Sequence, residues 1–208
     1  MSHYEEETFR FRGDDFEVNR GYFNEYGRQQ HPHSLFIGCS DSRVVPSMIT
    51  KTIPGELFII RNIANLVPPY RESSEFLATT SAIEYAVQVL NVKNIIICGH
   101  SNCGGCAALW HDHGNTGLMP HTRRWLELAS PIKERVTRIM ATADPAAREW
   151  LTERINIIEQ MNHLMTYPYI RERVENNELK IYGWHYMLHS GKIYQYNESA
   201  GYFESKDD

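Results

Sequence analysis

Two short segments carry more potential chemistry than the rest of this 208-residue chain. The first is Cys39-Ser40-Asp41-Ser42-Arg43. The second is His100-Ser101-Asn102-Cys103, flanked by Cys98 and Cys106. Cys39, His100 and Cys103 offer two thiolates and an imidazole, a soft sulfur and nitrogen set that suits Zn²⁺. Three protein ligands leave the fourth tetrahedral position open for water, as in catalytic rather than closed structural sites. Asp41 and Arg43, two residues apart, are close enough to form a charge-assisted pair in a tight turn.

Each residue also has a plainer reading. A lone cysteine after an apolar strand is usually a small buried hydrophobe, and Cys98 and Cys106 are read that way. Cys103-Gly104-Gly105-Cys106 is formally a C-x-x-C, the spacing of a redox dithiol. An isolated His100 would be a hydrogen-bonded structural histidine, and an isolated Asp41–Arg43 a surface ion pair. The joint pattern favours the metal, because both segments place polar groups where a core would carry none. His111-Asp112-His113 looks like a short metal tract, but Gly114 and Asn115 beside it suggest an exposed helix end. His31-Pro32-His33 reads as a loop. Gly104 and Gly105 fit neither G-x-G-x-x-G nor a Walker motif.

Donors far apart in sequence meet only if the fold delivers them to one place. Ser34–Ser40, Leu57–Asn62 and Asn94–His100 are short apolar runs rich in β-branched residues, suited to strands buried on both faces. Both donor segments follow such strands, at the carboxyl ends where open α/β sheets gather ligands. Leu179–Tyr186 and Lys192–Asn197 alternate more clearly and adjoin across Ser190-Gly191, which predicts a hairpin and an antiparallel edge. A helix is expected from an N-cap at Ser73, with Phe76, Ile83, Val87 and Leu90 on one face and Asn91 at its stop. A second, Ala146–Thr166, aligns Trp150, Ile157, Met161 and Leu164 and ends before Pro168. Asp15–Gln30 is a more polar candidate whose Phe16, Phe23 and Tyr26 need a surface to dock on. The expected fold class is α/β: a largely parallel central sheet with an antiparallel edge strand, flanked by helices. Residues 1–208 read as one domain, with 1–33 a helical arm and 34–208 the α/β core.

Composition narrows the function. The formal charge of -5 leaves no basic stripe to displace counterions, so no nucleic-acid partner is expected. No apolar run approaches the roughly 20 residues that span a bilayer. The opening MSHYEEETFRFRGDD lacks the basic-then-apolar order of a secretory signal, so a cytoplasmic location is expected. In such a reducing compartment four cysteines point to metal binding or burial rather than disulfides.

Cys39-Ser-Asp-Ser-Arg43 followed by His100-x-x-Cys103-Gly-Gly closely resembles the signature of the β-class carbonic anhydrases. Between them, PGELFIIRNIANLVPP and SAIEYAV are also similar to that family, as is GWHY around Trp184. The likeness runs from about Gln30 to His111 and is only general in the first residues and the middle helices. It implies reversible hydration of carbon dioxide to bicarbonate and a proton, through hydroxide on one Zn²⁺ per chain held by Cys39, His100 and Cys103. Asp41 and Arg43 would be the catalytic dyad. By motif position Gln30, Phe58, Ile63 and Tyr85 would line the carbon dioxide pocket, and the Gly104 N–H would face the substrate. Homodimers or higher homo-oligomers are implied too, paired through N-terminal helices and strand edges, with part of each pocket coming from the neighbour. Some relatives have a tryptophan where this chain has Phe36, and with Arg61 it forms an inhibitory bicarbonate site. Without it that site is not expected, nor is closure of the zinc by Asp41. Related zinc enzymes attack carbonyl sulfide or carbon disulfide, and fold alone does not separate those substrates. A purely structural zinc with Asp41 as fourth ligand, or a thiol redox protein using Cys103 and Cys106, are the other readings.

Overall fold

The computed structural model describes residues 3–73, 75, 77–110, 119–140 and 144–206. Six strands form one sheet in the order β2-β1-β3-β4-β5-β6. They are β1 (Ser34–Cys39), β2 (Leu57–Asn62), β3 (Asn94–His100), β4 (Lys180–Tyr186), β5 (Ile193–Asn197) and β6 (Tyr202–Ser205). The first four run parallel, and β5 and β6 add antiparallel at one edge. This is the expected α/β class. β1 and β3 lie inside the sheet, with every residue of β1 and all but Asn94 of β3 buried; β2, expected to be buried on both faces, is instead an edge strand in which only Ile60 is buried. β6 was not anticipated. Its four residues follow Gly201, whose φ of +76° makes the tight turn out of β5.

The helices are α1 (His3–Gly13), α2 (Asp15–Val18), α3 (Arg20–Tyr26), α4 (Pro46–Thr50), α5 (Ala78–Glu84), α6 (Gly104–Ala107), α7 (Pro120–Leu126), α8 (Ser130–Ile139), α9 (Pro145–Leu164) and α10 (Pro168–Glu175). Three expectations need correction. The helix placed from Ser73 starts at Ala78; Ser73 Oγ instead accepts from Glu75 N–H in a local turn. It then widens into a π turn over Tyr85–Val89 and stops at Asn91, whose φ is +55°. Phe76 and the His111–His113 tract lie outside the described residues. The polar helix placed over Asp15–Gln30 breaks at Asn19 and ends at Tyr26. Phe16 and Phe23 stack on each other at 5.0 Å, and Tyr26 lies against Gly55. Pro168 does more than bound α9: it opens α10, where its missing N–H costs nothing.

Trp150 is the third correction. It is 44% exposed, with the Arg154 guanidinium 3.9 Å from its ring centroid. It stands seven residues, about 10 Å of helix, before Ile157, where α9 meets the sheet. A methyl on Gly99 of β3 would stand 2.7 Å from Ile157 Cγ1, and one on Gly183 of β4 would stand 2.8 Å from Ile157 Cγ2. The two glycines therefore set how close α9 lies. Ile157 and Leu164 join Leu35, Ile37, Ile95 and Ile97 in the core beneath it. The opposite face of the sheet buries Phe36, Ile96 and Cys98 beside Trp184 and Tyr186.

Gly99→Ala is expected to lower the unfolding free energy by about 1–3 kcal/mol, because the added methyl overpacks against Ile157. Gly21→Ala is the contrast. Its Cβ meets nothing within 4 Å inside α3, so it should be neutral or stabilise by up to about 1 kcal/mol. Urea denaturation of both variants measures the difference.

Candidate metal centre

β1 lies between β2 and β3, so the chain leaves it toward one side of the sheet and returns on the other. Such a switch point opens a crevice at the strands' carboxyl ends. Parallel pairing of Gly38 with Cys98 brings the ends of β1 and β3 level, so Cys39 and His100 emerge side by side. Cys103 follows after a turn in which Asn102 takes φ +54°. Cys39 is 5%, His100 0% and Cys103 1% exposed. Their donor atoms all lie within 4.8 Å of one another, and no other such group of three occurs among the described residues.

The geometry fits a tetrahedral cation. Cys39 Sγ and Cys103 Sγ are 3.9 Å apart; two sulfurs each about 2.3 Å from a tetrahedral Zn²⁺ stand about 3.8 Å apart. His100 Nδ1 is 3.0 Å from the Ser101 carbonyl, which can only accept, so Nδ1 carries the hydrogen. Nε2 is left as a bare lone pair, buried and with no protein partner. A backbone carbonyl behind the far ring nitrogen is how a metal-bound histidine is held in its tautomer. Electrostatics agree. The neighbouring Cys103 sulfur and burial push the Cys39 thiol up to about 12. Cys106 and burial likewise push Cys103 upward. Two sulfurs so close ionise together only when a cation stands between them. Cys98 faces the other side of the sheet with Phe36, and burial keeps it a thiol. Cys106 is free and packs behind Cys103, its sulfur 3.7 Å from Asn156 Nδ2.

Asp41 borders the same space, its Oδ2 3.9 Å from His100 Nε2. Arg43 holds it from three directions: its backbone N–H at 3.0 Å and Nε at 2.9 Å donate to Oδ1, and Nη2 at 2.7 Å donates to Oδ2. This guanidinium fork keeps the Asp41 carboxyl well below the usual carboxylate range. The same Nη2 donates to the Asn102 carbonyl at 3.2 Å, joining the loop after β1 to the loop after β3. Arg61 grips the first loop from β2, donating to the carbonyls of Cys39 at 3.0 Å and Asp41 at 2.5 Å.

The remaining candidates fall into two groups. Gly104 follows Cys103 directly, and Ile63 lies against the start of α6. Gly104 opens α6, and a Cβ on the next residue, Gly105, would stand 2.8 Å from Ala64 Cβ and 3.1 Å from Ile63 Cγ2. Phe58, Tyr85 and Gln30 lie elsewhere in the chain. Phe58 pairs with Leu35, four residues or about 13 Å along the strand from Cys39. Tyr85 packs 6.0 Å from the Phe58 ring, and Gln30 shares a surface hollow with Tyr85 and Val89. A single chain does not bring this trio to the donors. Sequence reasoning also missed a buried polar stripe on α9. Glu153 accepts from the Cys103 N–H, Asn156 donates to the Ala64 carbonyl, and Gln160 accepts from the Val67 N–H. Their i, i+3, i+7 spacing was the available signal.

Cys39→Ala, His100→Ala and Cys103→Ala should each lose most bound Zn²⁺, and Cys98→Ala and Cys106→Ala should keep it. Metal analysis of the purified proteins decides, and a zinc-replete Cys39→Ala protein would overturn the donor set.

Comparison with known proteins follows the same lines. A carbonic anhydrase family profile matches residues 34–193. The carbonic anhydrase of Helicobacter pylori strain J99 is 44% identical over 200 residues, 95% of this chain and 90% of that protein. That of Pseudomonas aeruginosa is 37% identical over 184 residues, covering 88% and 82%. Among solved structures, the β-carbonic anhydrase CcaA superposes with a TM-score of 0.87 at 32% identity, over 98% of this chain and 90% of that one. A tetrameric β-carbonic anhydrase of Sordaria macrospora does so with 0.80 at 33%, over 93% and 95%. A profile spanning most of the chain, close relatives over nearly its whole length and the same sheet architecture agree: the chain belongs to the β-class carbonic anhydrase family.

Proposed function

We propose that this protein reversibly hydrates carbon dioxide to bicarbonate and a proton at one Zn²⁺ per chain, held by Cys39, His100 and Cys103. The observation that carries the proposal is the unpartnered, buried His100 Nε2 facing two sulfurs 3.9 Å apart. Bound Zn²⁺ supplies Lewis acidity; the three-histidine carbonic anhydrase centre, a different architecture, lowers the pKa of water from 15.7 to about 7. Asp41 acts on the water beside it, accepting its hydrogen bond and turning a lone pair toward the substrate. Arg43 keeps that carboxylate ionised and turned away from the donors, since both Asp41 oxygens already accept from it. The Gly104 N–H faces the substrate, and Ile63 adds an apolar wall suited to an uncharged linear molecule.

Phe58, Tyr85 and Gln30 complete this pocket only from a second copy of the chain. Ile59, Tyr85 and Val89, on the β2 edge and the π turn, are 42%, 45% and 63% exposed, an apolar surface beside an unpaired strand edge. A homodimer through this edge covers it and delivers the neighbour's trio, with Gln30 donating to the developing bicarbonate oxygen. Solved relatives include tetrameric enzymes. No described helix is long and apolar enough to cross a membrane, and a cytoplasmic location remains part of this reading.

The primary test is zinc content measured beside hydration of carbon dioxide, with carbonyl sulfide and carbon disulfide as competing substrates. Zinc-loaded protein without carbon dioxide turnover would overturn the proposal. Asp41→Asn should retain zinc and lose about 10²–10⁴-fold in turnover, the usual share of a positioned proton acceptor. Arg43→Ala frees Asp41 to take the fourth position in place of water, so X-ray absorption at the zinc edge should show carboxylate in place of water oxygen, with its carbon in the outer shell, at pH 8. Ile59→Asp should give monomers by sedimentation that keep zinc and lose most activity; fully active monomers would refute the shared pocket.

A further inference from the structure

Glu153 and His185 are buried ionisable side chains that the chemistry above does not use, at 3% and 0% exposure. Glu153 Oε1 accepts from the Cys103 backbone N–H at 3.1 Å, and Oε2 lies 3.0 Å from His185 Nε2. His185 Nδ1 in turn lies 3.4 Å from Arg154 Nε. A guanidinium only donates, so Nδ1 accepts and the neutral ring carries its hydrogen on Nε2. The hydrogen bonds therefore run one way, from Arg154 to His185 to Glu153. The second Glu153 oxygen is left for Cys103.

We propose that Glu153 is a positioning residue for the metal centre, holding the Cys103 backbone so that its sulfur meets Cys39 and His100, with Arg154 and His185 fixing the direction of the chain. This rests on the reading of Cys103 as a metal ligand. The Cys103 N–H is buried where α6 begins, and Glu153 is the acceptor that satisfies it. A buried donor left without an acceptor is destabilising, so this contact fixes where the Cys103 backbone sits. Glutamine in place of Glu153 has the same size but one acceptor and one donor end. If its oxygen serves Cys103, its NH₂ confronts His185 Nε2–H. His185 cannot escape by moving its hydrogen to Nδ1, because that hydrogen would confront Arg154 Nε–H.

The direction of the chain supplies the test. Glutamine at 154 places its amide at the reach of the arginine Nε, and its oxygen can accept. In Glu153→Gln/Arg154→Gln the whole chain can therefore reverse, with every donor matched. Zn²⁺ affinity is measured by chelator competition on the full-length wild type, both single variants and the double variant, alongside the Co²⁺–thiolate charge-transfer band of each. Glu153→Gln should weaken Zn²⁺ binding about 10–100-fold and shift that band, and the double variant should regain most of the loss. General destabilisation would add across the two substitutions, so it cannot produce this recovery. A Glu153→Gln protein that binds Zn²⁺ like wild type, or a double variant no better than Glu153→Gln, overturns the positioning role alone. A wild type with no Zn²⁺ affinity overturns the metal reading, and this proposal with it.

Discussion

The contact of Ile157 with the bare backbones of Gly99 and Gly183 governs the rest of this structure. It brings α9 down onto β3 and β4 at a distance that any side chain at either glycine would prevent. From that height the helix reaches the loops at the carboxyl ends of the strands with Glu153, Asn156 and Gln160. Those loops need such partners. Ala64 and Asn65 adopt φ of +61° and +49°, a left-handed conformation that costs roughly 1–2 kcal/mol for each residue other than glycine. Asn156 on the Ala64 carbonyl, Trp125 on the Ile63 carbonyl and Asn62 on both the N–H and carbonyl of Leu66 hold the segment in place. Gly105 then approaches Ala64 closely enough for α6 to begin beside the sulfurs.

Rigidity of this kind suits a centre whose donors repel charge when empty. Two buried sulfurs 3.9 Å apart, each raised above the ordinary thiol range, form a set that becomes favourable only around a cation. Such a set would relax apart if its loops were free. Two arginines oppose that. Arg61 fixes the Cys39 and Asp41 carbonyls, and Arg43 ties Asp41 to the Asn102 carbonyl across the two loops. Arg61 is thus committed to the backbone beside the first cysteine, which accords with the absence of a tryptophan partner at Phe36.

The apolar residues assigned to the substrate have the opposite character. Ile63 and Tyr85 stay near half exposed in the single chain, and Phe58 sits four ladder positions from the donors. Burial of the metal donors is complete within one chain, whereas the pocket that would receive carbon dioxide is not. On the proposed function, this division separates metal binding from substrate enclosure. The first depends on strand ends and loop hydrogen bonds, the second on what covers the open β2 edge.

The sequence by itself determined the strands and the donors. β1, β2 and β3 are short runs with apolar centres, so their ends were legible to within a residue, and Cys39, His100 and Cys103 stood out because polar groups clustered where the runs before them stopped. Local chemistry also marked the stop at Asn91 and the hairpin at Ser190-Gly191. What only the tertiary structure decided were the partners of buried polar groups. Glu153, Asn156 and Gln160 drew no attention beside the apolar face expected of the helix, on which Trp150 was placed; the structure buries all three against the strand-end loops and leaves Trp150 44% exposed under Arg154. His185 was visible only as part of GWHY and Arg154 not at all, because what each does is set a hydrogen-bond direction. Periodicity reports which residues share a face, but not whether that face meets a hydrocarbon core, an unsatisfied backbone amide or water, and only the packed chain distinguishes the three.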